Sequence, residues 1–482
     1  MTVLHPLTPH HAAHSLVPSI SSFRPAALPS TYSIDSLKAW YLNPATDPLH
    51  PAIAFSIATS VIVFILGEVT GNVSQVDRLW TTLPLIYSAH FTFWPLVTRQ
   101  VSHVADLDPR MLLVFALQCA WSARLTYQSA RRGFLDPRSE DYRWPLVRKA
   151  LPKLAFTLLD LFFIAFAQNF LLLAAELPQY LLLTRDLASS THLSALARLK
   201  PSHAQVARVP LNVADAVLAL AFVVTLVLEM RADNQQQAFQ NLKHGALDKQ
   251  RKGQQLTAKE RSAVERGFVA EGLWSWSRHP NFACEQTTWY LLYAFTVLPF
   301  LALSTSITSH PLSTLTPSIL FGGASSTTKE GLGLLSAHLP RYLTLDTALT
   351  ALLHPLLTLR SLAPELLRPG ALAQYAARAK LAGLVALAEV RADEGTHWNY
   401  SIAAPLLMSA LFFSSTILTE RISGSKYPLY ATYRRRVAKF WPVLTPLKGL
   451  FLALTGGRRA RVDRRIWGTR EGQSAAKTLK RQ

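Results

Sequence analysis

The sequence predicts an all-α, polytopic membrane protein with about seven transmembrane helices. Three observations predict it. The chain is 50% hydrophobic and 16% charged, with mean hydropathy +0.18, whereas an ordinary soluble domain carries roughly 25% charge. The apolar residues come in long blocks of the length a bilayer requires. The net charge of +20 sits largely in loops and at the C-terminus, the pattern of orientation by the positive-inside rule rather than of nucleic-acid binding. The two cysteines, Cys119 and Cys284, offer neither a disulfide framework nor metal-ligand spacing.

Taken in order, residues 1–50 are rich in Ser, Pro and His and lack a basic start followed by an apolar core. They read as a disordered tail without a secretory signal, and His10, His11 and His14 belong to it. Expected spans follow at about 51–69, 79–97, 111–127 and 154–173, with polar residues such as His90 and Arg124 inside the second and third. Residues 175–210 read as a connector. The fifth span, 213–228, is the cleanest, and a highly charged loop follows at 249–266. The sixth lies at about 281–303 and the seventh at about 402–418. Between them, 304–397 is Ser/Thr/Leu-rich and reads as an inserted lumenal loop, with room for amphipathic helices at 345–362 and 369–390. The region 398–442 carries the seventh helix and a cytosolic helix. Residues 443–482 form a basic tail.

Seven spans with a cytosolic C-terminus put four loops in the cytosol: 72–80, 131–149, 231–280 and 420–442. The basic residues concentrate in those same loops, as the positive-inside rule requires. Every polar block therefore falls on one side of the membrane, the arrangement of a single site built from several helix ends.

The densest block is GLWSWSRHPNFACEQTTWY, residues 272–290. Pro280 fits the first turn of a helix, which then carries Asn281 and Glu285 four residues apart on one face. A carboxylate entering a membrane needs a partner. Arg278 and His279 add positive charge at a helix N-terminus, a place for a phosphate or a cofactor amide. The bland alternative is an interfacial anchor with Glu285 in a structural ion pair. Glu229, Asp233 and Gln237 share one stripe where the fifth span ends. They suit ribose hydroxyls or an amide, or are a helix end breaking into water. Arg143, beside Asp141 and Tyr142, suits a phosphate or is ordinary orienting charge. Tyr430 and Tyr433 share a face with Arg434, to close over a cofactor or to form an aromatic belt. Arg124, inside a span, demands a partner, with Asp77 or Glu285 available. Dinucleotide-fold, phosphate-loop and zinc-protease motifs are absent.

Five blocks in order, NVSQVDRLW, RLTYQSARRGF with EDYRW, EMRADNQQQAF, GLWSWSRHPNFACE and SGSKYPLYATYRRRVAKFWP, resemble the steroid 5-alpha-reductase-like superfamily, in its branch of uncharacterised membrane proteins. The resemblance covers about 60–300 and 398–442. It implies a seven-helix fold that binds NADPH from the cytosol through its C-terminal half and holds a lipophilic enone among its N-terminal helices. Asn281 and Glu285 resemble the family's NxxxE pair, Asp233 its cofactor-binding aspartate, Arg124 its arginine after the third span, and Tyr433 its C-terminal tyrosine. The family's substrate-binding tyrosine is replaced by Trp121, which donates through its indole but cannot act as an acid. Glu68 and Asp77 are the candidates for its partner glutamate.

The expected function is NADPH-dependent reduction of a C=C bond in a sterol- or lipid-like enone, in the endoplasmic reticulum. A donor among Trp121, Tyr127 and Tyr142 would stabilise the enolate. The expected partners are a lipophilic small molecule and membrane lipids, with no nucleic acid and no metal. Two rivals stay open. One is an S-adenosylmethionine-dependent methyltransferase of the isoprenylcysteine or phospholipid type, which shares a similar block. The other is a non-catalytic lipid-binding membrane protein.

Overall fold

A computed structural model describes residues 16–24, 28–29, 31–184, 211–301, 399–455 and 458–468. Among these residues the chain is helical and forms no strand beyond an isolated parallel bridge between Ser277 and Ala438. Two short helices come first, α1 (Val17–Ser22) and α2 (Ile34–Leu42), the second capped by Ser33. They pack on the helices that follow: the Tyr180 hydroxyl donates to Asp47 at 3.0 Å and lies 2.9 Å from Ser19, and His50 lies 3.0 Å from the Ser19 carbonyl. The N-terminal fifty residues are therefore not a tail throughout, because buried hydrogen bonds hold part of them. His10, His11 and His14 lie outside the described residues.

Helix α3 (Leu49–Thr70) ends on Gly71 at φ 64°, the left-handed conformation glycine reaches without strain. After α4 (Gln75–Leu79) and α5 (Leu83–Val97) comes α6 (Pro109–Arg131). Asp108 caps α6, accepting from the Arg110 and Met111 amides, and Pro109 fills its first position. Helix α7 (Arg143–Ala150) lies in the loop to α8 (Lys153–Ala174), which widens to a π-helical stretch over Asp160–Ala167. Helix α9 (Leu177–Thr184), expected as connector, is buried along its whole length. Its apolar run is too short to cross a bilayer but long enough to fill the interior.

Helix α10 (Val213–Arg251) starts at a capping box in which Asn212 and Asp215 satisfy each other's amides. It is followed by α11 (Ala258–Arg266) and α12 (Pro280–Ala294). The last group is α13 (Ala403–Lys426), α14 (Leu429–Arg436), α15 (Leu444–Leu454) and α16 (Arg458–Trp467). Residues 444–467, expected as a basic tail, fold back onto α14. Arg436 pairs with Asp463 at 2.8 Å, and the Trp467 indole donates to the Ala270 carbonyl at 2.7 Å. The insert at 304–397, including 345–362 and 369–390, lies outside the described residues.

Among the described residues, four helices are long and apolar enough to cross a membrane: α3, α8, α10 and the segment Tyr400–Lys426 that contains α13. The expected seven are not reached by that measure. Helices α5 and α12 each have 15 residues, about 22 Å at ~1.5 Å per residue, against a core of ~30 Å. Helix α6 has 23 residues but carries Arg110, Gln118, Arg124 and Gln128. The main core gathers Tyr87, Phe91, Trp94, Trp121, Phe222 and Trp289 from α5, α6, α10 and α12.

Candidate functional site

Helices α6, α10 and α12 meet at a buried polar cluster centred on Arg124. One turn of α6 brings Trp121 and Arg124 to the same face. From α10 come Glu229 and Asp233, likewise one turn apart. The first two turns of α12 supply Asn281 and Glu285. Arg124 binds all three carboxylates: Nη1 to Glu229 at 2.9 Å and to Asp233 at 3.3 Å, and Nη2 to Glu285 at 3.2 Å. Asp233 also accepts from Arg132 at 2.7 Å and from the Asn281 amide at 3.2 Å. The Trp121 indole donates to both Glu285 oxygens, at 3.1 and 3.2 Å, and its ring meets Trp289 edge-on at 5.2 Å. Arg124, Glu229, Asp233 and Glu285 are buried, while the Arg132 side chain is 40% exposed and forms the rim. Three carboxyl groups face two guanidiniums. Within this cluster two buried atoms have no hydrogen-bond partner among the described residues: Glu229 Oε2, an acceptor, and Arg124 Nε, a donor. Such groups are costly unless something fills them.

The polar knot before α12 is fixed from two sides. Gly272, at φ 63°, lets the chain turn against α10, where a Cβ would stand 2.5 Å from Gln235. The Leu273 amide then donates to Gln235 at 2.9 Å, and the Trp274 indole to the Ala232 carbonyl at 3.0 Å. On the other side, the Arg278 and His279 amides donate to the carbonyls of Ala438 and Lys439 at 2.9 and 3.0 Å. The side chains of Arg278 and His279 turn away from Arg124 and both reach Glu420 of α13, at 2.7 and 3.1 Å. Burial lowers the His279 pKa, and the Glu420 carboxylate opposes that shift. Tyr433 is buried, donates to the Trp274 carbonyl at 2.5 Å, and has its pKa raised well above the ordinary value by burial. Tyr430 is buried beside it, their ring centroids 5.8 Å apart.

The structure thus joins Trp121, Arg124, Glu229, Asp233, Asn281 and Glu285 in one cluster, and Arg278, His279, Tyr430 and Tyr433 in a second beside it. It does not bring in the rest. Gln237 donates to Asn241 one turn on, at 2.9 Å. Arg143 holds Asp141 with two bonds, at 2.8 and 3.0 Å, and reaches Ser415 at 2.5 Å. Tyr127 is 51% exposed with Arg131 over its ring, and Tyr142 is 53% exposed ahead of α7. Asp77 accepts from the Trp144 indole at 3.2 Å, and Glu68 lies 3.5 Å from Thr157. Neither is among the Arg124 pairs. The block 72–80 is a scaffold: Asn72 donates to the Pro137 and Ser139 carbonyls at 2.9 and 3.0 Å, and Arg78 to that of Asp136 at 3.0 Å, which sets the loop before α7.

Two groups escaped sequence reasoning. Glu420 sits where an apolar span ends and reads as its boundary. Glu176 is buried and accepts from Gln118 at 2.9 Å, its other oxygen without a partner among the described residues. It is flanked in sequence by Ala174 and Leu177, which line an apolar cavity of about 720 Å³ between α1, α3, α8 and α13. A buried glutamine and glutamate in separate apolar stretches give no local signal of their pairing.

Fold and cluster together define a helical membrane protein with a buried ionic site where three helices converge. The chain belongs to the DUF1295 family of proteins of unknown function, whose model matches residues 63–330. It is 33% identical over 289 residues to an uncharacterized protein of Schizosaccharomyces pombe, covering 57% of this chain and 74% of that protein. No solved structure matches it.

Proposed function

We propose that this protein is a membrane reductase of the steroid 5-alpha-reductase-like type, using NADPH to reduce the C=C bond of a lipophilic enone. The observation that carries the reading is the Arg124 cluster, with its unfilled acceptor on Glu229 and unfilled donor on Arg124. A nicotinamide carboxamide offers one donor group and one acceptor, and so complements that pair. Glu285 and Asn281 would orient the carboxamide and ribose, while Arg132, with Arg131 beside it in sequence, would meet phosphate at the rim. NADPH would supply the hydride equivalent. Arg278 and His279, bound to Glu420, would position α12 rather than touch the cofactor. The cavity of about 720 Å³, lined by Ile20, Phe163, Leu171 and Leu411 among others, is in the range of ligand pockets and matches an apolar substrate. The Trp121 indole, engaged by Glu285, would hold that carboxylate rather than protonate a substrate. The same reading puts the site on the cytosolic side of the endoplasmic reticulum membrane.

Titration of the purified protein with NADPH, NADH and S-adenosylmethionine tests it. Saturable NADPH binding, followed by fluorescence of the buried tryptophans, is the expected result. Saturation by S-adenosylmethionine alone would make the protein a methyltransferase, and saturation by none would leave the cluster structural.

A further inference from the structure

A second cavity, of about 860 Å³, lies among α14, α15, α16 and the segment that joins α14 to α15. Its wall combines two chemistries. Arg278, Arg435, Lys439, Lys448 and Arg458 line it, and among the described residues no carboxylate does. The carboxylates of the neighbouring helices are held in ion pairs: Glu420 with Arg278, itself in the wall, and with His279, and Asp463 with Arg436. The other half of the wall is apolar, with Leu444, Leu447, Phe451 and Leu452. Three of these open outward: Leu444, Leu447 and Phe451 are exposed, as are Val443, Leu450 and Leu454. Positions 443, 447, 450, 451 and 454 recur at helical spacing, so α15 presents one apolar stripe to its surroundings. At 11 residues it is too short to cross a bilayer and suits the interface plane. Crowding has a further signature. Burial and the neighbouring Arg278 lower the Lys448 pKa to about 8, with its ammonium donating to the Arg434 and Val437 carbonyls.

We propose that this cavity is a binding site for an anionic membrane phospholipid. The headgroup phosphate would sit among Arg435, Lys439, Lys448 and Arg458, and the acyl chains would follow the Leu444–Leu447–Phe451 stripe. A free anion would use the cations but not the stripe. A zwitterionic lipid would use the stripe but carry its own positive charge into a cationic pocket. Only an amphiphile of net negative charge answers both halves of the wall. Apart from Arg278, the lining lies outside residues 63–330, the part matched by the family model, and the proposal does not rest on the reductase reading.

The test uses the full chain in neutral detergent with fluorescent phosphatidylserine and fluorescent phosphatidylcholine as probes. The expected result is preferential retention of phosphatidylserine. Arg435→Gln with Arg458→Gln, both exposed residues, should weaken it by roughly tenfold, since each interfacial cation contributes substantially to anionic-lipid binding. Arg464→Gln with Arg465→Gln removes the same charge from the exposed face of α16 and should leave retention within about twofold. Phe451→Asn should weaken phosphatidylserine as well, by shortening the stripe. Equal losses from the two arginine pairs would reduce the site to diffuse surface charge and overturn the proposal. Equal retention of both lipids would do the same. Displacement of the probe by millimolar inorganic phosphate or by NADPH would make it a free-anion or cofactor site instead.

Discussion

Glu285 and Arg124 differ sharply in what their loss should do. Breaking a buried ion pair by removing one partner costs about 3–5 kcal/mol, because the other charge is left uncompensated. Glu285→Gln does not create that state. Arg124 keeps Glu229 at 2.9 Å and Asp233 at 3.3 Å, and the new amide oxygen can still accept from Trp121. The variant should therefore melt close to the parent. If the site holds a nicotinamide, exchanging a charged acceptor for a neutral one removes ~1.5–3 kcal/mol, a tenfold to hundredfold weaker affinity for NADPH. Arg124→Met leaves three buried carboxylates with only Arg132 at the rim, and should lose about 3–5 kcal/mol of stability. Thermal melts of both variants beside NADPH titrations check this. A Glu285→Gln variant that melts early, or binds NADPH as the parent does, would remove Glu285 from the cofactor role. Legibility followed the same residues. That Arg124 needs a partner was readable from one arginine in an apolar span. Of its partners, Glu285 was foreseen, whereas Glu229 and Asp233 read only as a stripe for ligand groups. Nothing local links residues more than a hundred positions apart; packing of α6 on α10 makes the pairs.

At the scale of elements, the end of α10 and the start of α11 form a unit held by charge. Thr257 and Glu260 make a capping box, and Lys249 of α10 donates to Glu260 at 2.7 Å. The Lys249 ammonium first, then the Thr257 amide and hydroxyl, hold the Glu260 pKa down at about 2. A depressed carboxylate contributes stability above its unfolded pKa and loses it as pH falls through the folded value. The link between the two helices should thus be intact above about pH 4.5 and fade toward pH 2. Protection of the amides of 257–266 against hydrogen exchange, relative to the intrinsic rate at each pH, should fall over that window in the parent and be low throughout in Glu260→Gln. Equal protection at pH 5 and pH 2.5 would sever this carboxylate from the stability of α11. The box was not foreseen, because Thr257 and Glu260 lie in a loop that reads only as charge. Helix α16 stayed hidden for a related reason: an arginine-rich segment looks like a tail until Ile466 and Trp467 are seen to pack inward.

The whole molecule turns on how many helices cross the bilayer. Among the described residues, length and composition find four. Packing argues for more. Arg110 binds Asp215 and Arg124 binds Glu229, fourteen residues further along both helices, so α6 runs parallel to α10 for about 21 Å at ~1.5 Å per residue. Asn281 meets Asp233 while Asn212 donates to the Pro299 carbonyl at 2.8 Å. The segment 281–299 therefore runs antiparallel to the stretch of α10 from 212 to 233, about 31 Å at that rise, the depth of a bilayer core. Phe93 against Phe115, and Ser122 donating to the Thr81 carbonyl, set α5 antiparallel to α6. Helices α6 and α12 thus run alongside α10, and α5 runs alongside α6. Their polar residues are tolerated because ion pairs and hydrogen bonds with neighbouring helices satisfy them. Added to α3, α8, α10 and α13 they would restore the expected seven, with the two ends on opposite sides and, by the basic loops, the C-terminus in the cytosol. Protease protection of tags at each end in sealed microsomes should shield the N-terminal tag and cleave the C-terminal one. Both tags cleaved, or both shielded, would return the count to an even number and take α5, α6 or α12 out of the membrane.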